Sequence, residues 1–434
     1  MTSSEQKRRI AITGIGVFSP IGIGKEQFWE NLQAGRSGIG PTELHRNAAT
    51  PGSIGGEVRG FTEESAKKDF LKSQRKSIKL MSRETQLGTA AALQCLADSG
   101  LDLNTVDHQR IGVLYGANLM FFPPDTMIDP AIACKDDVGV FQFRRWGTDG
   151  MGKMEPLWML KYLPNMPACH IAIFTDARGP NNSVTLDEAS PGVALTEALN
   201  IMERGAADMM LVGGTGTRIH PVRAIHARLT DPLGFDEAEP ENSCKPFDTR
   251  RNGQVASEGA ACILLEEEEH AKQRGATIYG YLLGGSSSCV ASPTGEADIT
   301  QAVLNAARGA LRRANLKPED IGHVNAHGLA SPDADRSEAA ALRQLFGEQS
   351  VPVTSLKGVL GNSGAAGGFI ELVGSLLNLN MAGSVPVTFN CKEPDQELGI
   401  NIVQNAPLPT QNKTFLNVNF TRLGQASAVV ISGA

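Results

Sequence analysis

The side chains that could do chemistry in this sequence are few and scattered. Seven cysteines occur with no CxxC pair, an odd count that points to a reducing compartment and not to a disulfide framework. His220 and His226 stand six residues apart with no cysteine or carboxylate at metal-ligand spacing, so no metal site is expected. The glycine cluster Gly361–Gly368 lacks the Gly-Lys-Ser/Thr ending that carries a lysine to a nucleotide phosphate, which argues against a phosphate loop. Glu266 to Glu269 reads as the solvated start of a helix, where acidic side chains suit the N-terminal dipole. No Ser/His/Asp or Cys/His triad emerges from spacing alone, and no motif calls for a cofactor.

The elements that would position such groups alternate along the chain. Short apolar runs rich in β-formers read as buried strands at 10–17, 110–116, 208–214, 260–266, 321–328, 415–420 and 428–433. Between them, Lys79 to Ser99, Val193 to Arg204 and Thr300 to Ala314 carry apolar residues at helical spacing, and Gly100 and Gly205 stop the first two. Alternation of this kind predicts layered α/β structure. The stretch 118–167 differs: it is irregular, with Pro123, Pro124 and Pro130 and two of the three tryptophans, and reads as a cap or a dimer-facing excursion.

At 434 residues the chain exceeds what one hydrophobic core usually serves, so two cores or a duplicated one are expected, with a division near residue 255. A content of 41% hydrophobic and 20% charged residues rules out wholesale disorder. The net charge of −7 gives no basic surface for nucleic acid or membrane binding. No run approaches the ~18 apolar residues of a membrane span. The opening MTSSEQKRR leads into an apolar segment too short for a signal peptide, and a cytoplasmic location is the simplest reading.

Five segments in order carry a resemblance. They are RRIAITGIGVFSPIGIGKEQFWENLQAGRSGI, ADMMLVGG, KPFDTRRNGQVASEGAACILLEEEEHAKQRGATIYGYLLG, VNAHGLASPDADRSEA and SLKGVLGNSGAAGGFIE. Together they resemble the β-ketoacyl-acyl carrier protein synthases, nearest the type II elongating condensing enzymes. The resemblance implies a thiolase-like α/β fold of two similar halves (1–255 and 256–434) in five alternating layers, usually a dimer. It implies decarboxylative condensation by three side chains: a cysteine thiolate that takes the acyl chain, and two histidines that hold the malonyl carbonyl. Two backbone N–H groups supply the oxyanion hole.

Carried onto this chain, those positions are altered. Gly179-Pro180, seven residues and then the cysteine position lead to Glu188, with the helix-ending Gly205 seventeen residues further on. The nearest cysteine, Cys169, lies nineteen residues upstream on what the resemblance makes the approach strand, and reads as a packed small hydrophobe. The first histidine is His327, with a satisfied buried histidine as the equal alternative. The second histidine position is Asn362. Lys357 and Glu338 remain as an expected ion pair. The glycine-rich gate and oxyanion loop has become Arg422-Leu423-Gly424 and onward to Ser427. Ser190 is a good N-cap and Pro191 a good first helical residue, so Glu188 is either a functional carboxylate or a charge at a helix start. Arg422, or failing that Lys357, is expected to neutralise it.

Two functions follow from this reading. One is a non-condensing homologue, like the chain length factor of aromatic polyketide systems. Its partners would be acyl carrier protein or an acyl thioester, and it would form a homodimer or pair with a complete synthase. The other is changed acyl-thioester chemistry, hydrolysis or decarboxylation, using Glu188 and His327. A synthase using another nucleophile ranks below both, since Ser190 has no evident histidine base.

Overall fold

The computed structural model describes residues 8–43 and 49–434; the first seven residues of the polar N-terminal segment lie outside them. Eleven strands form the main path of one mixed sheet: β1 (Ile10–Ser19), β2 (Ile111–Ala117), β3 (Asn181–Val184), β4 (Met209–Thr217), β5 (Glu258–Glu267), β6 (Gly280–Cys289), β7 (His323–Asn325), β8 (Pro352–Thr354), β9 (Asn401–Ile402), β10 (Thr414–Phe420) and β11 (Gln425–Gly433). Their order is β9-β8-β7-β10-β11-β6-β1-β5-β4-β2-β3. A two-residue strand, Gly22–Ile23, folds back on β1.

The order reads as one pattern used twice. In the first group β3, β2 and β4 are parallel, and β5 and β1 follow antiparallel. In the second, β9, β8, β7 and β10 are parallel, and β11 and β6 follow antiparallel. Only Ile10–Ile12 against Gly280–Leu282 joins the two. β5 begins just past the expected division near 255 and still pairs with β1 and β4, so the first group runs through Glu267.

Helices Ser190–Glu203 and Gly367–Ala382 contact each other and strands of both groups, forming the middle layer. Apolar side chains pack all round the second of these, from Phe369 and Ile370 to Leu376 and Leu377. Such a helix is stable only when covered on every side. Helix Arg83–Ser99 covers the outer face of the first group, held at its start by the Ser82 hydroxyl, which accepts from Thr85 N, and stopped by Gly100 in the left-handed region. Helices Ile299–Ala314 and Pro332–Phe346 cover the second group. This gives five layers, helix-sheet-helix-sheet-helix.

Several expected boundaries move. The expected strand 321–328 is ordered as a strand only over His323–Asn325, because the chain then turns into the loop that carries His327. Cys169 lies on helix Met166–Thr175, not on a strand. Glu266 and Glu267 end β5, and the helix starts at Glu268; Glu266 is fully buried and bonded to Arg274, His270 and Thr13. Ser190 is the first helical residue and not the cap, and its hydroxyl accepts from Leu186 N at 2.9 Å.

One close approach positions the site. Gly214 on β4 faces the carbonyl oxygen of Ala365, so a Cβ there would collide with backbone. Gly214→Ala is expected to destabilise the fold by ~1–3 kcal/mol through overpacking. Urea unfolding measures this, and an unchanged midpoint would contradict the packing described.

Candidate functional site

Glu188 lies in a single 3-10 turn, Asp187–Ala189, that feeds directly into helix Ser190–Glu203. Asp187 takes a left-handed backbone, φ 47°, which turns the two consecutive acids in different directions. Glu188 is 6% exposed, and a carboxylate so buried needs a partner. The partner is Arg218, itself 4% exposed, whose guanidinium bonds Glu188 Oε1 and also donates to Asp231 Oδ2 at 2.9 Å. Asn362 Nδ2 donates to the same Glu188 oxygen at 3.0 Å. Asp187 is paired separately, with Arg223.

Burial alone would raise the Glu188 pKa. The charge of Arg218 and the Asn362 hydrogen bond overcome it and hold the carboxyl below its usual range. At neutral pH Glu188 is therefore an ionised, hydrogen-bonded carboxylate. That state is a weak nucleophile and cannot deliver a proton.

Asn362 is fixed on every side. Its backbone pairs with the strand-like segment Val255–Ser257, its Oδ1 accepts from Gly364 N at 2.9 Å, and its Nδ2 also bonds Gln254. A cavity of about 130 Å³ opens over this floor, with Glu188, Arg218, Gln254, Asp231 and Leu423 in its walls.

His327 stands on the loop after β7 and is 1% exposed. Asn325 donates to Asn417 at 2.6 Å, Asn417 to Asn419 at 3.0 Å, and the Asn419 amide meets His327 Nδ1 at 3.2 Å. With Asn419 Oδ1 occupied as acceptor, its amide donates, which leaves the imidazole proton on Nε2. Burial, with the charges of Lys357 and Arg218 adding to it, pushes the His327 pKa well down, so the ring is neutral. Nε2 is buried and has no hydrogen-bond partner among the described residues.

Glu338 accepts from His327 N at 2.7 Å and Gly328 N at 2.9 Å, fixing that loop. Burial lifts its pKa to about 8 against those two donors. Lys357 does not pair with Glu338 as expected. It bonds Glu371 at 2.6 Å, one turn into the buried, mostly apolar middle helix, where a carboxylate needs a cation most.

The segment Arg422-Leu423-Gly424 forms a tight turn between β10 and β11. Thr421 N donates to Gln425 O at 2.8 Å, and Gly424 takes φ +79°. Arg422 reaches Asp231 Oδ1 at 3.5 Å with its side chain half exposed. Neither Arg422 nor Lys357 is the counter-ion of Glu188. Both cations have nearer carboxylates of their own, and Arg218 occupies the place.

Two family models cover most of the chain: β-ketoacyl synthase, N-terminal domain, over residues 7–271, and β-ketoacyl synthase, C-terminal domain, over 279–392. The chain belongs to the β-ketoacyl synthase family. A Coxiella burnetii protein named 3-oxoacyl-(acyl-carrier-protein) synthase 2 is 30% identical over 98% of this chain and 99% of its own. A Streptomyces rimosus protein named as an oxytetracycline polyketide β-ketoacyl synthase is 32% identical over 100% and 99% of the two chains. Among solved structures, a β-ketoacyl synthase from Burkholderia phymatum superposes with TM-score 0.84 at 24% identity, covering 98% of this chain and all of that one. The ishigamide ketosynthase/chain length factor superposes with TM-score 0.83 at 23% identity, covering 99% and 100%. A type II polyketide ketosynthase solved with its acyl-carrier protein gives TM-score 0.82 at 24% identity, covering 99% and 100%. The fold is theirs.

Within this β-ketoacyl synthase homologue the fold brings Glu188 and Asn362 into direct contact. His327 reaches neither by a hydrogen bond among the described residues. Arg218, Asp231, Arg223 and Gln254 complete the site; of these only Gln254 lies in a quoted motif, KPFDTRRNGQVASEG, and nothing in the sequence singled it out. The available signal was an arginine placed directly after nine buried strand residues, an unlikely address for an unpaired cation.

The Arg218 site is asymmetric. Removing Arg218 leaves the buried Glu188 carboxylate without its bonded cation and Asp231 with only the half-exposed Arg422, whereas removing the Glu188 charge leaves Arg218 on Asp231. Arg218→Met is therefore expected to cost ~3–5 kcal/mol and Glu188→Gln distinctly less. The folded pKa of Glu188 lies below its unfolded value of 4.5, so its contribution is present above that value and is lost as pH falls through the folded pKa. The gap between wild type and Arg218→Met should accordingly narrow below pH 4.5, as measured by urea unfolding across pH.

Proposed function

We propose that this β-ketoacyl synthase homologue is non-condensing. It acts in fatty-acid or polyketide assembly in the cytoplasm as a chain-length-factor-like partner of a complete synthase, engaging acyl carrier protein or its acyl thioester. The observation that carries this reading is the Arg218–Glu188–Asn362 arrangement. The position that the resemblance assigns to the family's thiolate holds an ionised carboxylate whose Oε1 already accepts from Arg218 and Asn362. Attack on a thioester from such a group would give a mixed anhydride that water destroys. The same pairing weighs against Glu188 as a general acid or base in hydrolysis or decarboxylation.

Other features support partnership. β3, Asn181–Val184, ends the sheet and leaves a ladder edge open, a place where a second chain can add its strand. Large apolar side chains stand exposed across the neighbouring excursion, Val138, Phe143, Leu157 and Met159 among them. A ketosynthase/chain length factor structure shares the fold, as does a ketosynthase solved with acyl-carrier protein. All seven cysteines are free thiols, in keeping with a reducing compartment. No helix among the described residues is long and apolar enough to cross a membrane.

Intact-protein mass after incubation with acyl and malonyl thioesters of carrier protein or coenzyme A is expected to show no adduct. Sedimentation should show a dimer, alone or with a complete synthase. A stable acyl adduct, or a monodisperse monomer at micromolar concentration, would overturn the proposal.

Restoring the nucleophile is not expected to restore the reaction. In Glu188→Cys, Arg218 sits beside the new thiol and favours its thiolate, so slow self-acylation is expected. Elongation should stay ~10²–10⁴ below that of a complete synthase, because Asn362 replaces one imidazole and the Arg422 turn is pinned. Adding Asn362→His should raise carbon dioxide release more than ketoacyl product. Robust ketoacyl product from Glu188→Cys alone would show the rest of the site to be intact.

A further inference from the structure

The charges in the wall of the Glu188 cavity cancel among themselves. Arg218 bonds Glu188 and Asp231, Arg223 bonds Asp187, and Arg422 reaches Asp231 from the rim. Three guanidiniums thus face three carboxylates, and an occupant of either sign would bring an uncompensated charge. Leu329 and Leu423 add apolar surface. His226 is exposed to solvent, and Thr230 gives its hydroxyl proton to His226 O at 2.9 Å.

Which polar atoms stay open follows from one fixed donor. Gly364 N donates to Asn362 Oδ1 at 2.9 Å, so the other end of that amide is Nδ2. Nδ2 donates to Glu188 Oε1 at 3.0 Å and to Gln254 Oε1. The free end of the Glu188 carboxylate is then Oε2, an acceptor, and the free end of Gln254 is Nε2, a donor. Neither atom bonds another described residue, and neither is sealed from solvent. Both residues are buried, 6% and 5% exposed, and both line the cavity, so the cavity is where these atoms open. Because Glu188 and Gln254 share one Asn362 nitrogen, their free ends are neighbours. Gln425, in the same wall, accepts from the Thr421 hydroxyl at 3.1 Å through Oε1 and has a further Nε2 donor.

An acceptor beside a donor suits a head that donates and accepts at once. A ketone or ester would leave Glu188 Oε2 unmet, and a carboxylate would set a second negative charge against it. The cavity, about 130 Å³, is smaller than sites for drug-sized ligands and admits only a few heavy atoms.

We propose that this cavity binds a small primary carboxamide. Its N–H donates to Glu188 Oε2, its carbonyl oxygen accepts from Gln254 Nε2, and its short hydrocarbon part lies against Leu329 and Leu423. Such a ligand rests on the reading of Glu188 as the unreactive carboxylate of a non-condensing homologue.

Propionamide, butanone and propionate share one heavy-atom shape and differ only in the group beside the carbonyl. Their dissociation constants, from ligand-observed NMR titrations of the full chain near neutral pH, test the site. Propionamide should bind about tenfold or more tighter than butanone, the worth of one hydrogen bond to a charged group. Propionate should bind no better than butanone. In Glu188→Gln, Arg218 and Asn362 still require an acceptor, so the side-chain oxygen stays with them and the open atom becomes an N–H donor. The preference for propionamide should then vanish. Equal constants for propionamide and butanone, no binding of either, or a preference that survives Glu188→Gln would overturn the proposal. Each of these leaves the non-condensing reading standing, since that reading falls on an acyl adduct and not on this ratio. If Glu188→Gln fails to fold, Gln254→Met replaces it. Propionamide and butanone should then both weaken about fivefold, the worth of one net hydrogen bond, and unchanged constants would count against the site.

Discussion

Arg218 pairs with two carboxylates, Glu188 and Asp231, in a place with almost no water, and holds Glu188 ionised. A guanidinium can do this because it is planar, always charged and able to donate in several directions at once. Its two carboxylates fix the 3-10 turn before the middle helix and the end of helix Pro221–Thr230. Asn362 then completes the donor set on Glu188, which in turn sets the conformation of the loop leading to helix Gly367–Ala382. The arrangement is a structural solution to a buried charge. It ties up Glu188 Oε1 in two hydrogen bonds.

The loop that carries His327 is built independently of this charge cluster. His327 sits neutral at the end of a relay of three asparagines, and its loop is tied by Glu338. Lys357 and Glu371 form a dry pair behind it. The residues that the resemblance assigns to the nucleophile, the second imidazole and the gate turn are Glu188, Asn362 and Arg422–Gly424.

The layered α/β fold was legible in the alternation of apolar runs and amphipathic stretches, because strands such as β4 and β10 are buried on both faces and helices stop at glycines in the left-handed region. Motif spacing picked out Glu188, His327 and Asn362 as candidates, and the structure brings Glu188 and Asn362 into contact while His327 bonds Asn419. The charge pairing was not legible. Spacing along the sequence says nothing of which cation a fold carries to a carboxylate, and Arg218 arrives from the far end of β4 while Arg422 stops at the rim. The Lys357 pair was misassigned for the same reason: Glu338 looks closest in motif, but its two oxygens are taken by backbone N–H groups.

Asp231 takes one cation from each half of the chain, Arg218 from beneath and Arg422 from the rim. The two contacts answer to solvent differently. The inner one is sealed from counter-ions, whereas the outer one is half exposed and loosens as the Debye length shrinks toward ~3 Å in molar salt. Ionic strength therefore acts on this protein as a selective solvent: it frees the Arg422 turn at the cavity mouth and leaves the charged floor undisturbed.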